Sequence, residues 1–275
     1  MDNMQKIPVF FTFDANYLLA AKVAIHSMMK HASRQYWYEL YVFHTTLSPK
    51  AQQSLRNSLK EFTHTELHFI DVTQYNEKIK NFGTKAHYSK EIFYKLIATD
   101  VLPQYDRIIC SDVDVVFTGD FSPVFFMFPN EKFYYAGVGP VENSRMPYYR
   151  KDFSTTEMEI LEHEIAAGFL LINLKELRND HKQEEIINFY VNNYPRLRLP
   201  EQDCIILTCW PYIKYLPIDY SLPISFYRLN MNQRDFYQGN TEFAGDKATA
   251  LAKFNKGLAH PVQIHYAGFD KPWNC

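Results

Sequence analysis

The segment Arg107-Ile-Ile-Cys-Ser-Asp-Val-Asp-Val-Val-Phe117 places two carboxylates one residue apart inside an otherwise apolar run. Residues 108–110 and 115–117 are β-branched, aromatic or small and apolar, so the segment predicts a buried strand. Charged side chains are almost never buried in such a strand without partners. We therefore expect Asp112 and Asp114 at or just past the end of the strand, beside a crevice.

Two carboxylates with this spacing place oxygen ligands close together. Oxygen ligands suit a hard divalent cation such as Mn²⁺ or Mg²⁺ that also holds phosphate oxygens. The same pattern is typical of aspartates in turns and helix caps, and a lone Asp-x-Asp motif does not decide between the two interpretations. On the motif alone, both stay open.

The composition describes an ordinary soluble globular protein. The chain has 275 residues, 47% hydrophobic and 16% aromatic, with a net charge of −2 at pH 7, so it can bury a substantial core. The near-neutral charge argues against nucleic-acid binding, which needs a concentrated basic surface. No linker rich in Pro, Gly or Ser divides the sequence, so we predict a single domain over residues 1–275.

The apolar runs and the cysteines favour a cytoplasmic protein. No uncharged apolar run is long enough to cross a bilayer, and the N-terminus lacks the pattern of a secretory signal peptide. The cysteines at positions 110, 204, 209 and 275 have no Cys-x-x-Cys spacing and predict buried reduced thiols. Peripheral contact with the inner face of the membrane, through a C-terminal tail beyond residue 275, is the alternative.

The first part of the chain follows a strand, helix, strand, helix, strand order. Segments 7–13, 39–44 and 65–72 predict strands, and amphipathic stretches between them predict helices. This order is typical of a parallel sheet with helices on both faces, so the predicted fold class is α/β. No Gly-x-Gly-x-x-Gly or Walker-type motif follows these strands, so any phosphate groups must be held in another way.

Polar and aromatic residues follow the first predicted strand. Ligands of open α/β sheets bind beyond the carboxyl ends of the strands, where Asp14, Asn16 and Tyr17 would lie. Tyr17 could stack on a base while the polar pair bonds the edge of the base or the ribose. A capped helix with a packed tyrosine explains the same residues equally well.

Three later segments carry polar residues with two interpretations each. Segment 89–98 predicts a helix in which Lys95 is an exposed surface lysine. Segment 200–207 predicts a helix that opens with acidic and amide residues at 201–203, for which helix capping is the simplest explanation. His265 stands near the end of a short predicted strand, where a histidine is more often a hydrogen-bonded core residue than a ligand.

Four motifs, taken together, resemble one family. They are Thr12-Phe-Asp-Ala-Asn-Tyr17, Ser111-Asp-Val-Asp114, Ala167-Gly-Phe-Leu-Leu-Ile-Asn-Leu174 and His265-Tyr-Ala-Gly-Phe-Asp-Lys-Pro-Trp273. Through them the chain resembles the retaining nucleotide-sugar glycosyltransferases of family 8, close to bacterial galactosyltransferases and glucosyltransferases that build lipooligosaccharide and other surface glycans. The resemblance runs from Val9 to Trp273. It implies a GT-A fold, a mostly parallel central sheet flanked by helices, with a Rossmann-like nucleotide-binding half and an acceptor-side half.

The resemblance also implies a site for a UDP-sugar. Asp112, Asp114 and His265 match the three protein ligands of a Mn²⁺ ion that bridges the diphosphate, with Mg²⁺ as an alternative. Lys271 and the backbone around Gly268 match the groups that hold the leaving diphosphate. The residues that match the uridine and ribose contacts are Thr12, Asp14, Asn16, Tyr17 and Val113.

The reaction that the resemblance implies is hexose transfer with retention. Gln202 matches the family residue nearest the anomeric carbon, and Glu201 and Asp203 match residues that bind sugar hydroxyls or stabilise the cationic sugar. An amide is a poor nucleophile, so we favour front-face transfer in which UDP helps to deprotonate the acceptor. The expected enzyme moves galactose or glucose from a UDP-sugar to a glycan or lipid-linked saccharide.

Several residues depart from the family pattern near the transferred sugar. Many members have Asn at the position of Ala166, Asp at that of Glu201 and Arg at that of Lys95, and lysine does not replace arginine in a bidentate contact. The identity of the hexose therefore stays open. The predicted catalytic residues are Lys95, Gln202 and Asp203. A nucleotide-sugar-binding protein with little or no transfer activity is the alternative, and a metal-dependent hydrolase is a third hypothesis.

The acceptor side carries two more positions of interest. His87 matches a residue that lines the acceptor site, whereas Gly139 replaces a polar residue of the galactosyltransferase. The acceptor can therefore differ from that of the galactosyltransferase.

Overall fold

A mostly parallel sheet forms the centre of the molecule, whose computed structural model describes residues 4–80, 82, 89–142, 149, 151–233, 235–268 and 271–274. In chain order the strands of this described part are β1 (Lys6–Thr12), β2 (Trp37–His44), β3 (Thr65–Asp71), β4 (Ile108–Ser111), β5 (Val115–Phe117), β6 (Tyr135–Val138), β7 (Phe169–Ile172), β8 (Ile213–Leu216), β9 (Leu222–Pro223) and β10 (Gln263–His265).

Within the described residues, seven strands pair in the order β3-β2-β1-β4-β7-β6-β8. The pairs β1–β2, β2–β3, β1–β4 and β6–β8 are parallel, and only β7 runs antiparallel to its neighbours β4 and β6. The three N-terminal strands and their parallel pairing confirm the predicted α/β order. The carboxyl ends of β1, β4 and β6 consequently meet at one edge of the sheet.

Helices pack against the sheet. They are α1 (Leu18–His31), α2 (Pro49–Asn57), α3 (Asn76–Ile79), α4 (Ala98–Val101), α5 (Thr155–Leu161), α6 (Leu174–Asn179), α7 (Lys182–Asn193), α8 (Pro200–Cys209) and α9 (Lys247–Ala259). Alternate residues of β1 belong to two separate apolar cores, Val9 and Phe11 to one and Phe10 to the other, as expected for a sheet buried on both faces. Among the helices described, none is long and apolar enough to span a bilayer.

Local sequence signals account for the helix ends. Ser48 caps α2 by accepting from the N–H of Ala51, and Pro49 fills its first turn. A Ser154–Glu157 capping box begins α5. Capping side chains of this kind offset the unsatisfied N–H groups at each helix start.

The central segment differs from its prediction. Instead of one buried strand, residues 108–117 form two strands in different sheets, because β5 leaves the large sheet and pairs with β10, which in turn pairs with β9. The break falls at Asp112 and Asp114, whose charges do not fit inside a buried strand. Their predicted place just past the end of β4 is confirmed.

The structure also decides the predictions for segment 89–98 and for three of the four cysteines. Segment 89–98 is a 3₁₀ helix at Lys90–Ile97 that runs into α4, rather than one regular α-helix. The cysteines at 110, 204 and 209 are buried and free, as predicted, and burial raises the pKa of Cys209 to about 12. Cys275 lies outside the described residues.

Candidate active site

The β4–β7 ladder fixes the first of the two motif aspartates. Ser111 at the end of β4 lies opposite Phe169 at the start of β7. One step further, the N–H of Asp112 donates to the carbonyl oxygen of Gly168 at 2.9 Å. Backbone pairing therefore continues past the strand and holds Asp112 at the edge of the sheet.

The small sheet fixes the second aspartate beside a histidine from the far end of the chain. Val115, the first residue of β5, lies opposite His265, the last residue of β10. The N–H of Tyr266 donates to the carbonyl oxygen of Asp114 at 2.9 Å. Strand register alone thus places His265 next to Asp114.

Asp112, Asp114 and His265 form a cluster with the spacing of a metal site. Their ligand atoms lie within 4.8 Å of one another. Nε2 of His265 is 3.2 Å from Oδ1 of Asp114 and 3.6 Å from Oδ2 of Asp112. Two carboxylates and one imidazole suit Mn²⁺ and related divalent ions, so the residues present fit the metal that the sequence motifs imply.

Gly168 makes room for the imidazole. A Cβ atom at this position would lie 2.5 Å from Cε1 and 2.6 Å from Nδ1 of His265, and 3.4 Å from Oδ2 of Asp112. Only glycine therefore allows the histidine to approach the wall of the site. The role of Gly168 was not predicted from the motif 167–174, although a glycine just before a core strand often marks a close approach.

Two basic side chains, His265 and Lys271, lie against Asp114. The ammonium group of Lys271 pairs with its carboxylate and also donates to the carbonyl oxygen of Tyr266 at 2.7 Å. Burial opposes ionisation of Asp114, but the charges of His265 and Lys271 outweigh it and hold the pKa of this carboxyl well below its usual range. In turn, Asp114 raises the pKa of His265 against the effect of burial. The cluster thus carries charges of both signs.

Lys95 is not the exposed surface lysine that its own segment favoured, and its predicted catalytic role stays a prediction. It is 2% exposed, and its Nζ lies 2.6 Å from Oδ1 of Asp112 and 3.1 Å from Oε1 of Glu201. It also donates to the carbonyl oxygen of Ala167 at 3.1 Å. Burial lowers the pKa of Lys95, yet the two carboxylates raise it above its ordinary value overall. We call the group of Asp112, Asp114 and His265 the metal-type cluster. Lys95 therefore links the metal-type cluster to helix α8.

Helix α8 contributes two side chains to the site. Glu201 is buried and bonds Lys95 through one oxygen, while its Oε2 has no hydrogen-bond partner within the described structure. Gln202 donates from Nε2 to Oε2 of Glu164 at 2.9 Å and accepts at Oε1 from the N–H of Ala167 at 3.3 Å. The first turn of α8 is therefore more than a set of capping groups.

Asp203, predicted as a catalytic residue, does not line the cleft, and its role in catalysis stays a prediction. Its side chain is fully buried and accepts hydrogen bonds from the hydroxyl of Tyr149 and from the N–H groups of Arg198 and Leu199. The two N–H donors lie on the loop before α8, so the carboxylate stabilises the start of the helix. Burial and the charge of Glu164 raise the pKa of Asp203 to about 7 despite these hydrogen bonds.

The cluster opens into a cleft of about 200 Å³ that most of the predicted site residues share. Gly268 has a φ of +96°, a left-handed conformation that favours glycine, where the chain turns after β10. The predicted residues that line this cleft are Thr12, Tyr17, Asp112, Val113, Asp114, Ala166, Glu201, Gln202, His265, Gly268 and Lys271.

Two further predicted residues, Asp14 and Asn16, lie beside the cleft and not in its lining. Asp14 and Asn16 line an adjoining depression that shares Ser89 with the cleft. Asp14 accepts from the backbone N–H of Asn16 at 2.8 Å and from its side-chain amide at 3.2 Å, so the capping interpretation describes their contacts. His87 lies outside the described residues.

A larger depression of about 760 Å³ lies at the opposite edge of the sheet, with Lys6, Arg107 and Lys175 in its lining. The residues described there bring no metal-type cluster together. Size alone therefore does not mark the site, whereas the Asp112 cluster does.

Comparison with known sequence families agrees with this geometry. The sequence profile of glycosyl transferase family 8 matches residues 8–275, which is nearly the whole chain. The chain belongs to glycosyl transferase family 8. No curated protein matches the sequence. The family establishes a glycosyltransferase, and the metal-type cluster stands where the motifs resembling family 8 predicted it.

Solved structures similar to this family 8 chain share its GT-A fold. The bifunctional glycosyltransferase WbbM has a TM-score of 0.74 and 21% identity over 98% of this chain, which spans 47% of the WbbM chain. The galactosyltransferase LgtC, solved with donor and acceptor sugar analogues, has a TM-score of 0.70 and 17% identity over 97% of this chain and 89% of its own. GlyE of Streptococcus pneumoniae has a TM-score of 0.64 and 17% identity over 98% of this chain and 57% of its own.

Proposed function

We propose that this glycosyltransferase uses Mn²⁺ and a UDP-hexose, with galactose or glucose favoured, and transfers the hexose with retention to a saccharide or glycolipid acceptor. The observation that carries the proposal is the Asp112, Asp114 and His265 cluster in a cleft that Gln202 also lines. A cluster of this kind beside polar side chains of a helix start fits a diphosphate on one side and a sugar on the other.

The donor would lie along the lining of the cleft. A nucleotide in an open α/β sheet usually binds at the carboxyl ends of the strands. The cleft lining near the carboxyl ends of β1 and β4 includes Thr12, Tyr17 and Val113. Lys271 and the backbone of Gly268 would contact the diphosphate. LgtC was solved with analogues of donor and acceptor sugars, which supports a sugar donor and a sugar acceptor for this chain as well.

In the reaction, the bond between the anomeric carbon and the diphosphate oxygen breaks, and the acceptor oxygen bonds to that carbon from the same face. The proton of the acceptor hydroxyl passes to the departing diphosphate. A divalent cation bound by the cluster would stabilise the charge that develops on the diphosphate. Lys271 adds a second positive charge on that side.

The sugar side of the cleft is polar. Oε2 of Glu201 is buried without a hydrogen-bond partner in the described structure, while the other oxygen bonds Lys95, so we assign Oε2 as the atom that would accept from a sugar hydroxyl. Gln202 presents an amide that is too weak a nucleophile for a covalent intermediate, which supports front-face transfer. The small side chain of Ala166 leaves space beside these groups.

The acceptor class is proposed from the family resemblance and from one contact. A Cβ at Gly139 would lie 2.7 Å from the ring of Tyr215 and 2.9 Å from Nδ2 of Asn240, so a polar side chain does not fit there. We expect an acceptor that differs from that of the galactosyltransferase at this contact. We also propose that the enzyme works in the cytoplasm or at the inner face of the membrane.

A panel of UDP-hexoses tests the proposal. UDP release and free sugar are measured by mass spectrometry, with and without Mn²⁺ and with and without saccharide acceptors. Acceptor-stimulated, Mn²⁺-dependent UDP release is expected for at least one donor. Binding without release of UDP would favour the nucleotide-sugar-binding alternative, and free sugar at a rate independent of acceptor would favour a hydrolase.

Titration calorimetry tests the metal assignment separately. Asp112→Asn or Asp114→Asn should abolish Mn²⁺-dependent UDP binding, since each removes one of two carboxylate ligands. Unchanged binding would exclude the cluster as the metal site. Gln202→Ala should lower kcat and keep UDP affinity, and a collapse of UDP binding would show that Gln202 contacts the nucleotide instead.

A further inference from the structure

The amide of Gln202 lies between two partners that each allow one direction of hydrogen bonding. An ionised carboxylate only accepts, so the 2.9 Å bond to Glu164 must come from Nε2 of the amide. A backbone N–H only donates, so the 3.3 Å bond from Ala167 must end on Oε1. Together the two partners fix which end of the amide is nitrogen and which is oxygen.

The orientation of the Gln202 amide matters because it decides whether the oxygen or the nitrogen faces the cleft. Ala167 and Gln202 both line the cleft, and Glu164 does not. Glu164 is 6% exposed and follows helix α5, where its backbone N–H donates to the carbonyl oxygen of Leu161 at 3.2 Å. Its carboxylate therefore holds the amide nitrogen away from the cleft wall, and the amide oxygen stays on the side of Ala167.

We propose that Glu164 is a positioning residue that turns the amide oxygen of Gln202, rather than its NH₂ group, toward the reacting sugar. This inference rests on the proposed transferase function. The anomeric carbon becomes positively charged as the bond to the diphosphate breaks, and the negative end of a fixed amide dipole stabilises that charge. The reversed amide would present its positive end and oppose the reaction.

Kinetics of Glu164→Gln test the proposal, because glutamine has the same shape but can both donate and accept. We expect kcat to fall about 10-fold while the KM for the UDP-hexose changes less than about 3-fold, as for a group that acts on the transition state. Glu162→Gln is the matched control, since Glu162 lies on the same segment and contacts Tyr237 instead. An unchanged kcat for Glu164→Gln, or an equal fall for the control, would overturn the proposal.

A double-mutant cycle shows whether Glu164 acts through Gln202. In a Gln202→Ala background, the change Glu164→Gln should alter kcat less than about 2-fold, because the amide that it orients is gone. Independent, additive losses of kcat would mean that Glu164 has another role and would refute the positioning role.

A measurement without turnover separates this inference from the proposed function. The side-chain NH₂ resonances of Gln202, assigned in ¹⁵N spectra by their loss in Gln202→Ala, should shift in Glu164→Gln and stay in place in Glu162→Gln. If the wild type turns over no UDP-hexose, the proposed function fails while these resonances still report the orientation. Unshifted resonances in Glu164→Gln would overturn the positioning role whatever the activity.

Discussion

Nζ of Lys95 lies 2.6 Å from Oδ1 of Asp112, so a fully buried cation holds one of the two carboxylates that would bind a metal. The same Nζ is 3.1 Å from Glu201 on helix α8. A lysine in this place pairs with two carboxylates at once, the partly exposed Asp112 and the buried Glu201, and the Glu201 carboxylate would not be stable there without a partner. The geometry of the metal-type cluster therefore depends on a residue that touches it from the protein interior.

Replacing Lys95 with methionine should destabilise the protein. The change keeps most of the volume but leaves Asp112 and Glu201 without their buried cation, a loss of about 3–5 kcal/mol in the free energy of unfolding. Added Mn²⁺ should raise the melting temperature of Lys95→Met more than that of the wild type, because the ion compensates Asp112. Thermal denaturation with and without Mn²⁺ measures both effects, with the exposed Lys90→Met as control. Equal melting temperatures for all three proteins would contradict the argument.

Gly168→Ala should weaken metal binding. Its Cβ would lie 2.5 Å from Cε1 of His265, so the imidazole must move away from the two carboxylates. Displacing a ligand in this way lowers metal affinity by about 10- to 100-fold. Titration calorimetry with Mn²⁺ measures the change. Gly119→Ala is the control, because a Cβ there meets its nearest neighbour, Val262, at an ordinary 3.4 Å; equal affinities for the two variants would contradict the prediction.

The metal-type cluster was predictable from the sequence because strand ends position it. Asp112 and Asp114 follow an apolar run, and a charged pair cannot continue inside a buried strand. His265 ends another short apolar segment, and strand pairing brought it to the same edge. The motif resemblance then joined residues that lie far apart in the chain, which no local pattern could have done.

Side-chain partners of the buried polar residues were not predictable. From its own segment Lys95 was expected on the surface because most lysines are, and only the family resemblance placed it near the transferred sugar. Its partners lie at positions 112, 167 and 201, which only tertiary packing brings close. Asp203 was assigned to the chemistry because the family resemblance places the polar segment 201–203 beside the transferred sugar. Successive residues of a helix point in different directions, and one helical step turns Asp203 toward the loop before α8.

Lys271→Met should change metal binding and nucleotide binding in opposite directions. Lys271 pairs with Asp114, so its positive charge competes with a divalent cation for that carboxylate. Its removal should raise the affinity for Mn²⁺ alone by about 3- to 10-fold, and should lower the affinity for UDP in saturating Mn²⁺ because the proposed contact with the diphosphate would be lost. Calorimetric titrations with each ligand measure this, with the exposed Lys60→Met as control. A fall in both affinities would show that Lys271 supports the cluster instead of competing with the ion.

Asp203→Asn should change how stability depends on pH. Burial raises the pKa of Asp203 to about 7, so the folded protein holds this proton more tightly than the unfolded chain does. The group therefore contributes stability below about pH 4 that is lost as the pH rises through about 7, up to about 4 kcal/mol in total.

Asparagine keeps the shape of the Asp203 side chain and does not ionise. The free energy of unfolding should therefore fall less between pH 5 and pH 8 in Asp203→Asn than in the wild type, as measured by urea denaturation across this range. The exposed Asp100→Asn serves as control and should follow the wild type. If the wild type and Asp203→Asn lost stability in parallel, the carboxyl of Asp203 would be ionised throughout this range, and its hydrogen bonds from Tyr149, Arg198 and Leu199 would outweigh its burial.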